Sequence, residues 1–141
     1  MNYLSKYFTY DELTFSDTAK RLRLNNEPSA KLLKSLINTA GQLDRVRELL
    51  GCPVVVTSGY RSTAVNRVIG SNDKSQHTKC EAVDFRTNNH TPHRIVELIK
   101  QSNIEYDQLI LEFDSWVHIS FSANNRKQVL IIDENGTRAF K

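Results

Sequence analysis

Apolar positions change their spacing partway along this chain, and the change separates helices from strands. From Leu32 to Leu50, the residues Leu33, Leu36, Ile37, Leu43, Val46 and Leu49 recur with a period of about 3.6, after Pro28-Ser29-Ala30 and before Gly51. The pattern predicts one long amphipathic helix stopped by glycine. Pro53-Val54-Val55-Val56-Thr57 is short and β-branched, which predicts a buried strand running into a turn at Ser58-Gly59. Next come a short helix from Thr63 to Ile69 closed by Gly70, a strand from Glu81 to Phe85, and a helix that starts at Thr91-Pro92 and ends near Ser102. Leu109-Ile110-Leu111, Trp116 to Phe121 and Val129 to Ile132 read as strands, with a turn at Glu134-Asn135-Gly136. These last strands are expected to form an antiparallel meander, and the residues before Pro28 read only as a polar opening. Helices mostly first and strands mostly last predict an α+β fold, an antiparallel sheet with helices packed mainly on one face.

Composition narrows the classes without naming one. A chain of 141 residues with 39% apolar and 25% charged positions fits a single domain over 1–141, large enough to bury a core without staples. No apolar run is long enough for a membrane span, and Met1-Asn2-Tyr3-Leu4-Ser5-Lys6 does not lead into the apolar core of a secretory signal. The expected site of synthesis is therefore a cytoplasm, with no signal peptide and no membrane partner. Two cysteines, Cys52 and Cys80, are too few for a disulfide scaffold and read as free thiols. A surplus of +3 without clustered Lys and Arg gives poor support to nucleic-acid binding. A monomer is expected.

Four histidines are the candidates for chemistry. His90 and His93 flank the helix start at Thr91-Pro92 and read as surface or capping residues. His118 lies inside an apolar strand, on the face it shares with Trp116 and Ser120. Alone it would read as a half-buried, hydrogen-bonded histidine. Asp84 changes this, because a carboxylate between Val83 and Phe85 must be paired or metal-bound if it is buried. His77, in the polar stretch Ser75-Gln76-His77-Thr78-Lys79, completes a set of two imidazoles and one carboxylate. Three such ligands with a fourth position left for water suit a catalytic zinc ion. The rival pair His77 and Cys80 lacks the further ligands that a structural site needs, and Cys80 otherwise reads as a small buried side chain in a tight turn.

Several motifs then carry a resemblance. Ser58-Gly59-Tyr60-Arg61-Ser62, Asn66, Gly70-Ser71, the run from Ser75 through Asp84, and Trp116-Val117-His118-Ile119-Ser120 resemble the zinc D-Ala-D-Ala carboxypeptidase and L-alanyl-D-glutamate peptidase family, whose fold is shared with the hedgehog signalling domain. Tyr7-Phe8-Thr9, Glu12-Leu13-Thr14 and Ser16-Asp17-Thr18-Ala19 also resemble the opening of small phage and prophage peptidoglycan peptidases. The resemblance implies a hedgehog/DD-peptidase-like fold and one Zn2+ per chain on His77, Asp84 and His118. It implies that Arg61 meets a substrate carboxylate or carbonyl and that Ser75 hydrogen-bonds the substrate, roles that suit a guanidinium fork and a hydroxyl. The family usually has glycine where this chain has Cys80, so a positive φ there would strain the cysteine.

For the general base, the resemblance points to an acid shortly before the last histidine. The usual position holds Ser115, which leaves Glu112 as first choice and Asp114 as second. A two-residue hairpin loop would turn Glu112 away from His118. A three-residue loop over Asp114, Ser115 and Trp116 pairs Glu112 with His118 and aims both at one side, so an odd loop or a bulge is expected. The function so implied is zinc-dependent hydrolysis of peptide bonds in peptidoglycan stem peptides, at the cell wall or in a phage particle. Trp116 either lines the cleft or packs in the core. The alternative is a non-catalytic metal-binding module of the same fold.

Overall fold

The computed structural model of the chain describes residues 2–141. In chain order the elements are α1 (Tyr10–Thr14), α2 (Asp17–Leu22), α3 (Ala30–Leu50), β1 (Val55–Ser58), α4 (Thr63–Val68), a 3₁₀ turn (Gln76–Lys79), β2 (Ala82–Arg86), α5 (Pro92–Gln101), β3 (Gln108–Glu112), β4 (Trp116–Ser120), β5 (Gln128–Asp133) and β6 (Gly136–Ala139). The two long helices stand where the periodicity put them. Ser29 caps α3 by accepting from Leu32 N, and Gly51 ends it at φ 66. Thr91 caps α5 in the same way, with Pro92 in the first turn.

Six strands form one sheet in the order β1-β2-β4-β3-β5-β6. Val83 and Phe85, Val117 and Ile119, and Leu109 and Leu111 share one core with Leu36, Leu43 and Val46 of α3 and Ile95 and Ile99 of α5. Alternation leaves Asp84, His118, Ile110 and Glu112 on the opposite face. No described helix is long and apolar enough to cross a membrane.

Three features differ from the expectation. β5 runs parallel to β3, not antiparallel as a meander requires, because residues 121–127 carry the chain back along the sheet before it pairs again. β6 was not expected, since all four of its residues are exposed and no apolar alternation marks it. The polar opening holds two short helices. The first is closed by a capping box in which Thr9 Oγ1 accepts from Glu12 N and the Glu12 carboxylate accepts from Thr9 N.

Candidate metal centre

β1 carries one extra residue at Thr57: Val56 faces Phe85 but Ser58 already faces Asp84. This bulge turns the chain sharply into Gly59-Tyr60-Arg61 beside Asp84. The 3₁₀ turn brings in His77 from the other direction. Ser75 Oγ accepts from His77 N at 3.2 Å at its start, and Cys80 ends it at φ 59. The residue where glycine is usual in the resembling family therefore does adopt the left-handed conformation. It is buried there, with Thr39 Oγ1 donating to its carbonyl at 2.6 Å. β4 supplies His118 directly opposite Asp84 on β2.

The side chains of His77, Asp84 and His118 converge, each offering a donor atom within 4.8 Å of the others. His77 Nδ1 lies 2.8 Å from the Gly59 carbonyl and donates to it, and Nε2 lies 3.4 Å from Asp84 Oδ2. His118 Nδ1 is 3.0 Å from Asp84 Oδ1. Tetrahedral bonds of about 2.0–2.1 Å separate neighbouring ligands by roughly 3.3 Å, so two imidazole nitrogens and one carboxylate at these distances fit zinc. Burial disfavours the charge on Asp84, but hydrogen bonds from His118 and His77 and their charges outweigh it and hold the carboxyl well below its ordinary range. The acid is thus kept ionised, as a ligand must be.

Glu112 lies on the same sheet face, its Oε1 3.8 Å from His118 Nδ1. Burial and the Asp84 charge raise its pKa, while His118, the Trp116 indole N–H and Arg61 pull it the other way. A carboxylate whose proton affinity is raised in this way is a stronger proton acceptor than an ordinary glutamate, which suits a general base. The hairpin loop does have three residues, so Glu112 keeps the parity expected of it. Its register is displaced, however: Glu112 faces Trp116 and Ile110 faces His118. The loop is Phe113-Asp114-Ser115, shifted one residue toward β3, because Phe113 and Asp114 both adopt φ 52 and Ser115 N closes the turn on Glu112 O at 3.0 Å. Asp114 is exposed at the tip, with no ion pair to the triad among the described residues.

Arg61 is half-buried, and burial lowers its pKa while the charges of Asp84 and Glu112 raise it. Its Nε is buried without a hydrogen-bond partner, and one terminal nitrogen makes only a 3.5 Å contact to Ser58 Oγ. The guanidinium thus keeps donors free beside the triad. Trp116 Nε1 is likewise buried without a formed hydrogen bond, and its ring packs at 5.6 Å on the exposed Phe113. Of the remaining histidines, His90 Nε2 lies 3.1 Å from the Leu50 carbonyl and His93 is exposed beside Glu97, both away from the triad.

Two supports were not read from the sequence. One is the Gly59 carbonyl that orients His77; a Cβ at Gly59 would overlap the Leu13 carbonyl oxygen, so only glycine lets α1 pack this close. The other is buried Asp107, which accepts from the Gln76 side chain at 2.9 Å and so braces the residue before His77. A backbone carbonyl and a contact across 31 residues leave no mark in a linear pattern.

His77 from the 3₁₀ turn thus meets Asp84 and His118 on the sheet face that also carries Glu112, a group of two imidazoles and a carboxylate that could hold a metal ion. A family model described as Peptidase M15 matches residues 6–120, and the chain belongs to that family of zinc-dependent peptidases. No curated protein matches the chain.

Proposed function

We propose that this protein is a zinc metallopeptidase that hydrolyses peptide bonds in bacterial peptidoglycan stem peptides. Family membership supports the peptidase, and the motifs that resemble those of phage and prophage wall peptidases support the substrate. The observation that carries the reading is the placement of Glu112 and Arg61, an acid with raised pKa and a cation with free donors, beside the same three converging side chains.

His77 Nε2, Asp84 and His118 Nδ1 would hold the ion. Held there, zinc would supply Lewis acidity toward a carbonyl oxygen and toward water. Glu112 takes the proton from the attacking water and returns it to the leaving amine. Arg61 donates to the carbonyl oxygen as negative charge develops on it. Ser75 donates to the peptide on the opposite flank. Trp116 and Phe113 wall the side next to Glu112 and limit water there.

The test is a zymogram on purified murein. Parent protein should clear it, a chelator should abolish clearing and added zinc should restore it. Zinc-loaded protein that clears no murein would leave a metal-binding module without turnover.

A further inference from the structure

Two complementary polar groups without partners meet at the end of the β3–β4 hairpin. Glu112 and Trp116 are its last paired residues and stand directly opposite each other, so their side chains project from the same sheet face. The backbone on which they stand is tied down at several points. Ser115 N closes on the Glu112 carbonyl at 3.0 Å, Ser115 Oγ donates to the Phe113 carbonyl at 2.9 Å, and Phe113 N donates to the Ile132 carbonyl on β5 at 2.8 Å. Phe113 is held at φ 52, a conformation its side chain resists, and its ring packs 5.6 Å from the Trp116 ring.

Trp116 Nε1 is buried and donates to no group among the described residues. Such an N–H is costly, because folding removes its water and supplies no acceptor in return. Across the pair, the half-buried Glu112 carboxylate receives no side-chain hydrogen bond of ordinary length among the described residues; its Oε1 lies 3.8 Å from His118 Nδ1. Burial raises the Glu112 pKa, and the indole N–H is among the groups that lower it, which sets donor and carboxylate close together. An indole nitrogen can only donate and an ionised carboxylate can only accept, so each is the partner the other lacks.

We propose that Trp116 is a positioning residue for the general base: its indole N–H closes on one oxygen of the Glu112 carboxylate and leaves Oε1 turned toward the triad. The contact stands on the geometry of the pair, and its effect on rate rests on the peptidase reading with Glu112 as base. A carboxylate without this donor rotates among orientations in which neither oxygen faces the attacking water, whereas an anchored one keeps the productive orientation. One hydrogen bond to a charged group accounts for about tenfold in rate. Because it orients the base and does not touch the substrate, the effect falls on kcat and leaves KM unchanged.

The chain has one tryptophan, so a proton–nitrogen correlation spectrum carries one indole signal, and solvent exchange of its hydrogen in the metal-free full chain reads the contact without turnover. Glu112→Leu keeps the bulk and offers no acceptor, and should speed that exchange about tenfold. Asp114→Asn, at the exposed tip of the loop, should leave it as in the parent. Trp116→Phe keeps an aromatic ring against Phe113 and removes the N–H; loaded with zinc and given stem peptides, it should lose about tenfold in kcat with KM and zinc content unchanged. Unchanged exchange in Glu112→Leu, an equal rise in Asp114→Asn, parental kcat in Trp116→Phe, or a loss confined to KM overturns the proposal. The exchange measurement leaves Trp116 in place, so it decides the contact even if Trp116→Phe does not fold. If zinc-loaded parent cleaves no stem peptide, the peptidase reading falls and the exchange measurement still decides the contact.

Discussion

Replacing Asp107 by asparagine tests whether a buried carboxylate braces the loop that carries His77. Asp107 is only 3% exposed. Its oxygens accept from the backbone N, Nε and a terminal nitrogen of Arg126 at 3.0, 2.8 and 2.9 Å, and from Gln76 at 2.9 Å. The hydrogen-bonded Arg126 guanidinium outweighs the effect of burial and holds the Asp107 carboxyl at about 2. Displacement from an ordinary value of about 4 corresponds to about 2 kcal/mol before screening. The Arg126 side chain is 58% exposed, so solvent screening reduces this to about 1 kcal/mol. Asparagine also presents an amide donor to groups that are all donors, which costs about 1 kcal/mol more. The Tm of Asp107→Asn should therefore fall by about 7 °C at pH 7. Because the folded pKa is depressed, the charge-dependent share is fully present above the unfolded value of about 4 and is lost as pH falls through about 2. The Tm gap between parent and variant should thus narrow by about half between pH 5 and pH 2. Thermal unfolding of metal-free protein, followed by circular dichroism across that range, measures it. A gap below about 2 °C at pH 7, or one that does not change with pH, refutes the reasoning.

Glu112→Gln should retain zinc and lose about a hundredfold or more in kcat, whereas Asp114→Asn should leave turnover unchanged; metal analysis with steady-state kinetics separates the two. Gly59→Ala should lose about 2 kcal/mol in urea unfolding and weaken zinc in a chelator competition, because the added Cβ pushes the Leu13 backbone away and moves the carbonyl that orients His77. Burial, aided by Glu81, pushes the Cys80 thiol up to about 12, so at pH 8 about one part in ten thousand is thiolate. Native protein should resist iodoacetamide at Cys80 and label fully in urea, and rapid native labelling would contradict the burial. Arg61→Lys should keep zinc and charge but lose activity, since lysine lacks the forked donors.

The long helices, β1 to β4 and the convergence of His77, Asp84 and His118 were legible because periodicity, caps and an out-of-place carboxylate are local signals. α3 is read within a residue or two at each end from its leucine spacing and its flanking Ser29 and Gly51. α1 was legible in principle, since Thr9-Tyr10-Asp11-Glu12 has capping-box spacing, but five residues carry too little periodicity to mark it. The parallel pairing of β5 depends on where a loop lays the strand, which no alternation encodes. The one-residue displacement of the β3–β4 loop depends on positive φ at Phe113, a residue type that gives no such warning.

Mass spectrometry of isolated murein stem peptides incubated with zinc-loaded protein tests the central claim most directly. The account predicts new fragments from one peptide bond, lost on chelation, restored by zinc and absent with Glu112→Gln. Intact peptides with the zinc-loaded parent, or fragments that persist in the chelator, would contradict it.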